Sequence, residues 1–285
     1  MKDPHIRKPD WLRIRLGNNA HFSTTGNAVK SRGLHTICES GRCPNLGDCW
    51  NRKIATFMIA GDICTRNCKF CNTLSGKPLA LDPDEPQKTA ESVRELGLKH
   101  VVITSVDRDD LSDFGAAHWV STVLKIKELN PNTTIEILIP DFGGNPELLK
   151  QIIETKPDII AHNIETVGRL TPLVRSVAKY RRSLGVLQQI AAAGIRCKSG
   201  MMLGLGETPD EILETIHDLY ATGCRMLSIG QYLQPSKKNI PVSAYIHPDT
   251  FAEYKQIALA MGFGSVESAP LVRSSYHSGE LFCDS

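Results

Sequence analysis

From residue 54 onward, short apolar runs alternate with segments of helical period. Ile54 to Ile59, Val101 to Thr104, Ile135 to Ile139, Ile159 to His162, Ile195 to Leu203 and Met226 to Gln231 are rich in Val and Ile. Their near-continuous apolarity predicts parallel strands covered on both faces. The best-marked helix between them spans Thr208 to Gly223. Thr208 is placed to cap it, Pro209 suits the first helical position, Glu211 completes a capping box and Gly223 fits its end. Ile212, Leu213, Ile216, Leu219 and Tyr220 recur at helical spacing. Leu148, Leu149, Ile152 and Ile153 mark a second helix; Leu184, Leu187, Ile190 and Ala191, ending at Gly194, mark a third. Strand followed by helix, repeated in this way, predicts right-handed crossovers and a parallel sheet. An open doubly wound sheet and a partial barrel both satisfy the pattern. Either one puts the functional loops after the strands' C-terminal ends. The stretch 262–285 has no such pattern and reads as a tail.

Composition narrows the setting. At 285 residues with 41% hydrophobic content, the chain is long enough for one large core, and 22% charged residues is ordinary for a soluble protein. A formal charge of +2 opposes nucleic acid or a membrane surface as the main partner. No apolar run reaches the length of a membrane span and no secretory signal opens the chain, so the thiols are read as reduced and the location as cytoplasmic. Residues 1 to 35 hold Lys2, Arg7, Lys8, Arg13, Arg15, Lys30 and Arg32 against only Asp3 and Asp10. Such an arm fits an acidic partner protein or a solvated extension equally well.

Chemistry enters with the cysteines. Six of the nine form two triplets: Cys38, Cys43 and Cys49, with four then five residues between them, and Cys64, Cys68 and Cys71, with three then two. A closed zinc site or a ferredoxin-type cluster needs four protein ligands. Each triplet therefore leaves one metal corner for a substrate or for a ligand from far along the chain. The second triplet directly follows the first strand, so it sits in a strand-to-helix loop at the active-site end. The first reads as an irregular loop, its cysteines too widely spaced for one helical face.

The segment Cys64-Thr65-Arg66-Asn67-Cys68-Lys69-Phe70-Cys71, with an aromatic before its last cysteine, resembles the radical S-adenosylmethionine enzymes. That resemblance implies a partial (β/α)6 TIM-like barrel and a four-iron cluster held by three thiolates. Its open iron binds S-adenosylmethionine, whose reductive cleavage yields a 5′-deoxyadenosyl radical. It also implies cofactor contacts. Gly200 to Glu207, with Gly204 and Glu207, matches the fifth-strand pattern beside the adenine. Asn163 and Glu165 end the fourth strand, where ribose contacts are common. Thr104, Ser105 and Asp107 occupy the place of a Gly-Gly-Glu run that this chain lacks. Arg175 and Lys198 are basic candidates for the cofactor carboxylate.

The first triplet resembles one family within that group, the lipoyl synthases. Lys8-Pro9-Asp10-Trp11-Leu12, Thr104 to Leu111, His162-Asn163-Ile164-Glu165-Thr166 and Arg273-Ser274-Ser275-Tyr276 match its motifs across nearly the whole chain. In that family a serine of the last motif ligates a second, auxiliary cluster, a role that falls to Ser275 with Ser274 as the fallback. The resemblance implies a sulfurtransferase acting at carbons six and eight of an octanoyl chain on a lysine of a lipoyl carrier domain, either the E2 subunit of a 2-oxoacid dehydrogenase or the glycine cleavage H protein. The sulfur comes from the auxiliary cluster. A ferredoxin or flavodoxin reductant and a cluster-repair factor are the further partners implied. The chain divides accordingly into an extension at 1–52, a barrel at 53–262 and a tail at 263–285. Another radical sulfur-inserting or methylthio-transferring enzyme shares the second triplet but lacks the first paired with a terminal Arg-Ser-Ser-Tyr. A two-cluster electron carrier needs four thiolates per cluster. Cys197 and Cys224 read as small buried apolar groups, and Cys283 as incidental. The two triplets predict about eight irons per chain after anaerobic reconstitution, as two four-iron cubanes. Iron analysis giving near zero, with about one zinc and no visible chromophore, rules the scheme out.

Overall fold

All six expected strands form, and each hydrogen-bonds to the next in the chain. The computed structural model describes residues 7–13, 22–51 and 55–275; Lys2, Asp3 and Arg15 of the basic arm, Ile54, Tyr276 and Cys283 lie outside them. Within these, β1 (His35–Thr36) runs antiparallel to β2 (Thr56–Ile59). A separate parallel ladder joins β3 (Ile63–Cys64) to β4 (Leu74–Ser75). The main sheet continues in parallel through β5 (His100–Ser105), β6 (Thr134–Leu138), β7 (Ile159–Ala161), β8 (Arg196–Leu203), β9 (Met226–Gln231) and β10 (Ser265–Ser268). Its order is β1-β2-β5-β6-β7-β8-β9-β10. A doubly wound sheet reverses at a switch point, and this one never does. A single cavity is lined by Thr56 of β2, Val102 of β5, Glu136 of β6, Gly200 of β8 and Ser228 of β9, so the sheet curls around it. The architecture is a partial barrel.

Side-chain alternation explains the curl. Val101, Ile103, Ile135 and Ile137 point outward and are fully buried in the core that also holds Val93 of the helix Glu85–Leu96 and Trp119, Val123 and Ile126 of the helix Ala116–Leu129. Their neighbours Val102, Thr104, Glu136 and Leu138 line the cavity instead. Period two thus divides each strand between packing and function. The helix after β8, Pro209–Ala221, carries the expected capping box between Thr208 and Glu211, and Gly223 follows at φ +90°. The helices over 148–153 and 184–191 run Pro146–Glu154 and Tyr180–Ala192. Among the described residues no helix is long and apolar enough to cross a membrane.

Two readings are corrected. The first triplet is not irregular: Cys38 sits in a helical turn, Ile37–Ser40, and Cys49 in another, Leu46–Asn51, with Cys43 between. Thr36 Oγ1 caps the first turn by accepting from Glu39 N–H at 3.4 Å. Two short helices meeting at a turn can present thiols that one helical face cannot. The sheet also runs past residue 262, because β10 pairs with β9 although Val266 is its one large apolar residue.

Beyond β10 the chain crosses the barrel mouth. Gln231 N–H donates to Pro270 O at 3.2 Å and Asn45 Nδ2 to Leu271 O at 2.8 Å, tying the crossing to β9 and to the N-terminal extension. Gly230 is indispensable here: a Cβ at that position would stand 2.2 Å from Val272 O. Gly230→Ala should leave the barrel folded but displace residues 272–275, seen as faster tryptic cleavage at Arg273 with unchanged far-UV circular dichroism. An unaltered cleavage rate would show that the crossing does not depend on this contact.

Candidate active site at the barrel mouth

A cavity of about 570 Å³ opens at the C-terminal ends of the strands, large enough for a small-molecule cofactor. Cys64, Cys68 and Cys71 line it from the loop after β2, and Cys38 and Cys43 from the N-terminal extension. A small chamber beside it is lined by Cys38, Cys43 and Cys49 together with Asn45, Thr56, Arg273 and Ser275. Residues separated by more than two hundred positions thus share one site. Thr56 Oγ1 donates to Ser275 Oγ at 2.9 Å, whereas Ser274 Oγ accepts from Asn163 Nδ2 at 2.7 Å. Both serines line the large cavity, but only Ser275 also lines the small chamber beside the first triplet.

The second triplet's loop is fastened by charge. Arg66, between Cys64 and Cys68, is buried, and its fork reaches Asp109 (Nε–Oδ2 2.8 Å, Nη2–Oδ1 2.8 Å), Asp141 (2.6 Å) and Asp107 (3.2 Å). Burial opposes its charge, but the three carboxylates outweigh that and raise its pKa. Asp141, which also accepts from Arg182 at 3.2 Å, is held at about 2 by Arg66 against burial, while burial pushes Asp107 up to about 6. Backbone N–H groups of Asp107 and Arg66 donate to Cys64 Sγ at 3.3 and 3.4 Å, and Thr73 N–H to Cys71 Sγ at 3.4 Å. Hydrogen bonds of this kind tune a thiolate-held centre. Asp107 and Asp109 belong to the motif at 104–111, whose arginine, Arg108, is bidentate to Asp110 and donates to Ala60 O and Leu79 O.

The cavity wall carries a second cation. Arg175 lines the cavity, and its Nη1 donates to Ile164 O at 3.2 Å and Ser183 Oγ at 2.9 Å. His162 Nδ1 lies 2.9 Å from Ile139 O, which only accepts, so the ring proton is on Nδ1. Nε2 then accepts from Ser183 Oγ–H at 2.9 Å, and every proton from Arg175 to Ile139 is assigned. Burial, followed by Arg175, lowers His162 to about 4, consistent with a neutral ring. Asn163 Nδ2 also donates to Glu165 Oε1 at 3.1 Å, while its buried Oδ1 has no partner among the described residues. A Cβ on Gly200 would lie 2.8 Å from that oxygen, so the glycine keeps it approachable. Burial raises Glu165, which occupies positive φ at 67°.

The structure brings Thr104, Ser105, Asn163, Glu165 and Arg175 to the cavity lining, and it sends three other candidates elsewhere. Lys198 is buried in an ion pair with Glu136, Nζ–Oε1 2.8 Å, and does not line the cavity. The pairing satisfies both charges away from water, so Lys198 is committed to Glu136 rather than to a cofactor. Glu207 accepts from Gly204 N–H and from Leu205 N–H at 2.9 Å, closing the turn after β8. Gly204, at φ +98°, lets Ala244 O approach to 2.3 Å of where a Cβ would be. Both shape the loop without lining the cavity.

The thiols fit a group larger than an ion. Burial pushes Cys38, Cys43 and Cys71 up and, with the Asp107 carboxylate, takes Cys64 to about 12. Such thiols need compensating positive charge to act as ligands. Cys38 feels the charge of Cys43, Cys64 that of Cys71 and Cys71 that of Cys68, yet among the described residues no three Cys, His, Asp or Glu converge on one point. A single zinc ion therefore has no prepared seat, and a polynuclear centre spanning separated thiolates fits better.

Comparison with known proteins agrees with this geometry. Residues 58–219 match the Radical SAM superfamily. The chain is 61% identical over 273 residues to the lipoyl synthase of Parabacteroides distasonis, covering 96% of this chain and 97% of that one. It is 58% identical over 271 residues to the lipoyl synthase of Treponema denticola, covering 95% and 93%. The chain belongs to the lipoyl synthase family. Among solved structures, Streptococcus suis SuiB bound to S-adenosylmethionine superposes with a TM-score of 0.59 at 12% identity over 80% of this chain, which spans about half (54%) of that protein. Methylornithine synthase (PylB) superposes at 0.56 and 16% identity, covering 87% and 70%. At such identities these two share the fold alone.

Several residues of this family member's site escape a reading of the sequence. Thr56 looks like any strand threonine until Ser275 arrives beside it. Asn45 and Arg273 acquire roles only because the chain ends meet; Arg273 lies near enough to Cys43 to lower its thiol, a smaller effect than burial. Arg66 was readable in part, since a lone arginine inside a cysteine triplet precedes an Asp-rich motif. Arg66→Ala should strip three carboxylates of their shared cation and cost about 3–5 kcal/mol, measured by urea denaturation of the cluster-free protein. A loss below about 1 kcal/mol, the range of an exposed pair, would show that the clamp is dispensable.

Proposed function

We propose that Cys64, Cys68 and Cys71 hold the radical-generating four-iron cluster and that Cys38, Cys43, Cys49 and Ser275 hold the auxiliary one. The chain is a lipoyl synthase, a sulfurtransferase that inserts sulfur at carbons six and eight of an octanoyl chain carried on a lysine of a lipoyl carrier domain. Bound S-adenosylmethionine supplies the hydrogen-abstracting radical and the auxiliary cluster supplies the sulfur. The observation that carries the residue assignment is the chamber in which Ser275 joins the three cysteines of the first triplet.

Each wall has work suited to it. Arg175, fixed by Ser183 and His162, presents a cation for the cofactor carboxylate. Asn163, Glu165, Thr104 and Ser105 offer acceptors and donors for its amino and hydroxyl groups. The Thr56 hydroxyl, donating to Ser275, favours the ionised serine as a ligand. A serine oxygen is a poorer cluster ligand than thiolate, so the iron it holds is the easiest to release, as a consumable cluster requires. The N-terminal extension and the segment that follows β10 act together as the auxiliary-cluster housing on the barrel. The substrate domain is an E2 subunit or an H protein, the electrons come from a ferredoxin or flavodoxin, and a repair factor rebuilds the spent cluster. A reducing cytoplasm suits thiols that must stay free for metal.

Cys64→Ala should abolish 5′-deoxyadenosine formation, while Cys38→Ala should still form it and insert no sulfur. Product analysis by mass spectrometry after mixing dithionite-reduced protein, S-adenosylmethionine and an octanoyl-lysyl peptide separates the two. Loss of both activities in Cys38→Ala would contradict the division of labour.

A further inference from the structure

The chain is nearly neutral overall, yet its acids are unevenly spread. Residues 63–81, 166–206 and 219–248 contain no aspartate or glutamate. These three stretches meet at the outer side of the second triplet's loop. Lys69 N–H donates to Val174 O at 2.8 Å, Ile240 N–H to Lys69 O at 3.0 Å and Asn239 Nδ2 to Cys71 O at 2.8 Å. Lys69, Lys179, Lys237 and Lys238 are exposed on them, and none forms an ion pair among the described residues. The same surface exposes apolar groups: Leu173 is 60% and Val177 45% accessible, flanking Ser176, whose Oγ lies 3.8 Å from Cys68 Sγ. Exposed apolar side chains beside unpaired cations mark an interaction surface for an acidic protein.

We propose that this face docks an acidic electron-transfer protein that reduces the cluster held by Cys64, Cys68 and Cys71. The proposal rests on the cluster assignment above. One electron leaves the partner's reduced flavin or iron–sulfur centre and enters the four-iron cluster; the partner is oxidised by one electron, the cluster reduced by one, and no bond changes at that step. The face suits this partner better than the acyl carrier. Leu173, Ser176, Val177 and Lys179 do not line the cavity, so an octanoyl arm seated here would miss the reacting site, whereas an electron arriving here is next to a ligand of the cluster.

The test is Lys179→Glu/Lys237→Glu/Lys238→Glu in the reconstituted enzyme, with Lys→Gln at the same positions as a milder partner. Binding of oxidised flavodoxin is measured by calorimetry at low and high salt, and S-adenosylmethionine cleavage is driven by either flavodoxin or dithionite. The Glu variant should bind flavodoxin at least about tenfold more weakly at low salt, with a flatter salt dependence, and the Gln variant should fall between. Cleavage driven by dithionite should be unchanged, which also reports an intact fold. Wild-type affinity in either variant overturns the proposal, as does weakened binding of the octanoylated carrier with flavodoxin binding intact. Absence of dithionite-driven cleavage in the wild type would instead overturn the functional reading, while the flavodoxin affinities still decide the surface.

Discussion

The carbonyl of Val272 lies where any side chain on residue 230 would have to be, and that close approach holds the site together. A parallel barrel leaves its functional loops at one rim, but no single loop of this chain completes the chamber at the first triplet. Closure comes from the C-terminal segment drawn across the rim, clipped to the N-terminal extension by Asn45 and to β9 by Gln231. Gly230 permits the crossing sterically, and Gly200 leaves room beneath it for Asn163 and Ser274. Ser275 reaches the cysteines only because the backbone before it can lie this low.

The wall chemistry follows from burial. Removing charges from water is costly, so each charge inside the rim has its own counter-charge or hydrogen-bonded support. Arg66 gathers three aspartates, Lys198 pairs with Glu136, and Arg175 leans on a chain of neutral groups through Ser183 and His162. These arrangements divide the labour between rigidity and reactivity. The clamp around Arg66 stiffens the loop whose thiols are polar and close together. The neutral relay behind Arg175 orients its guanidinium without cancelling its charge, which leaves that charge available to an anion in the cavity.

Outside the rim the electrostatics invert. The acids that neutralise the chain as a whole lie elsewhere, leaving the outer side of the Cys64 to Cys71 loop basic and partly apolar. A buried wall of compensated pairs and an outer face of unpaired lysines serve different ends. The first fixes geometry at short range, and the second acts on partners through a field that salt screens. The loop of Cys64 to Cys71 separates the two, so one short segment faces both the cavity and the lysine-rich outer face.

Local sequence determined much of this protein. Alternating strands and helices, the box between Thr208 and Glu211, and two cysteine triplets are short-range patterns whose physics is complete within a few residues. The family resemblance carried by those triplets pointed to Ser275. Other features are decided only when the chain closes. The choice between doubly wound and barrel winding lies in strand order, which periodicity does not encode. β10 has one large apolar residue and forms because β9 offers it an edge. Lys198 and Arg175 are both basic residues among apolar ones, and nothing local says that one will meet Glu136 while the other faces the cavity. The same holds for Thr56, which takes its role from a serine at the far end of the chain. Contacts between distant segments depend on where the fold puts them, and burial then sets what each side chain can do.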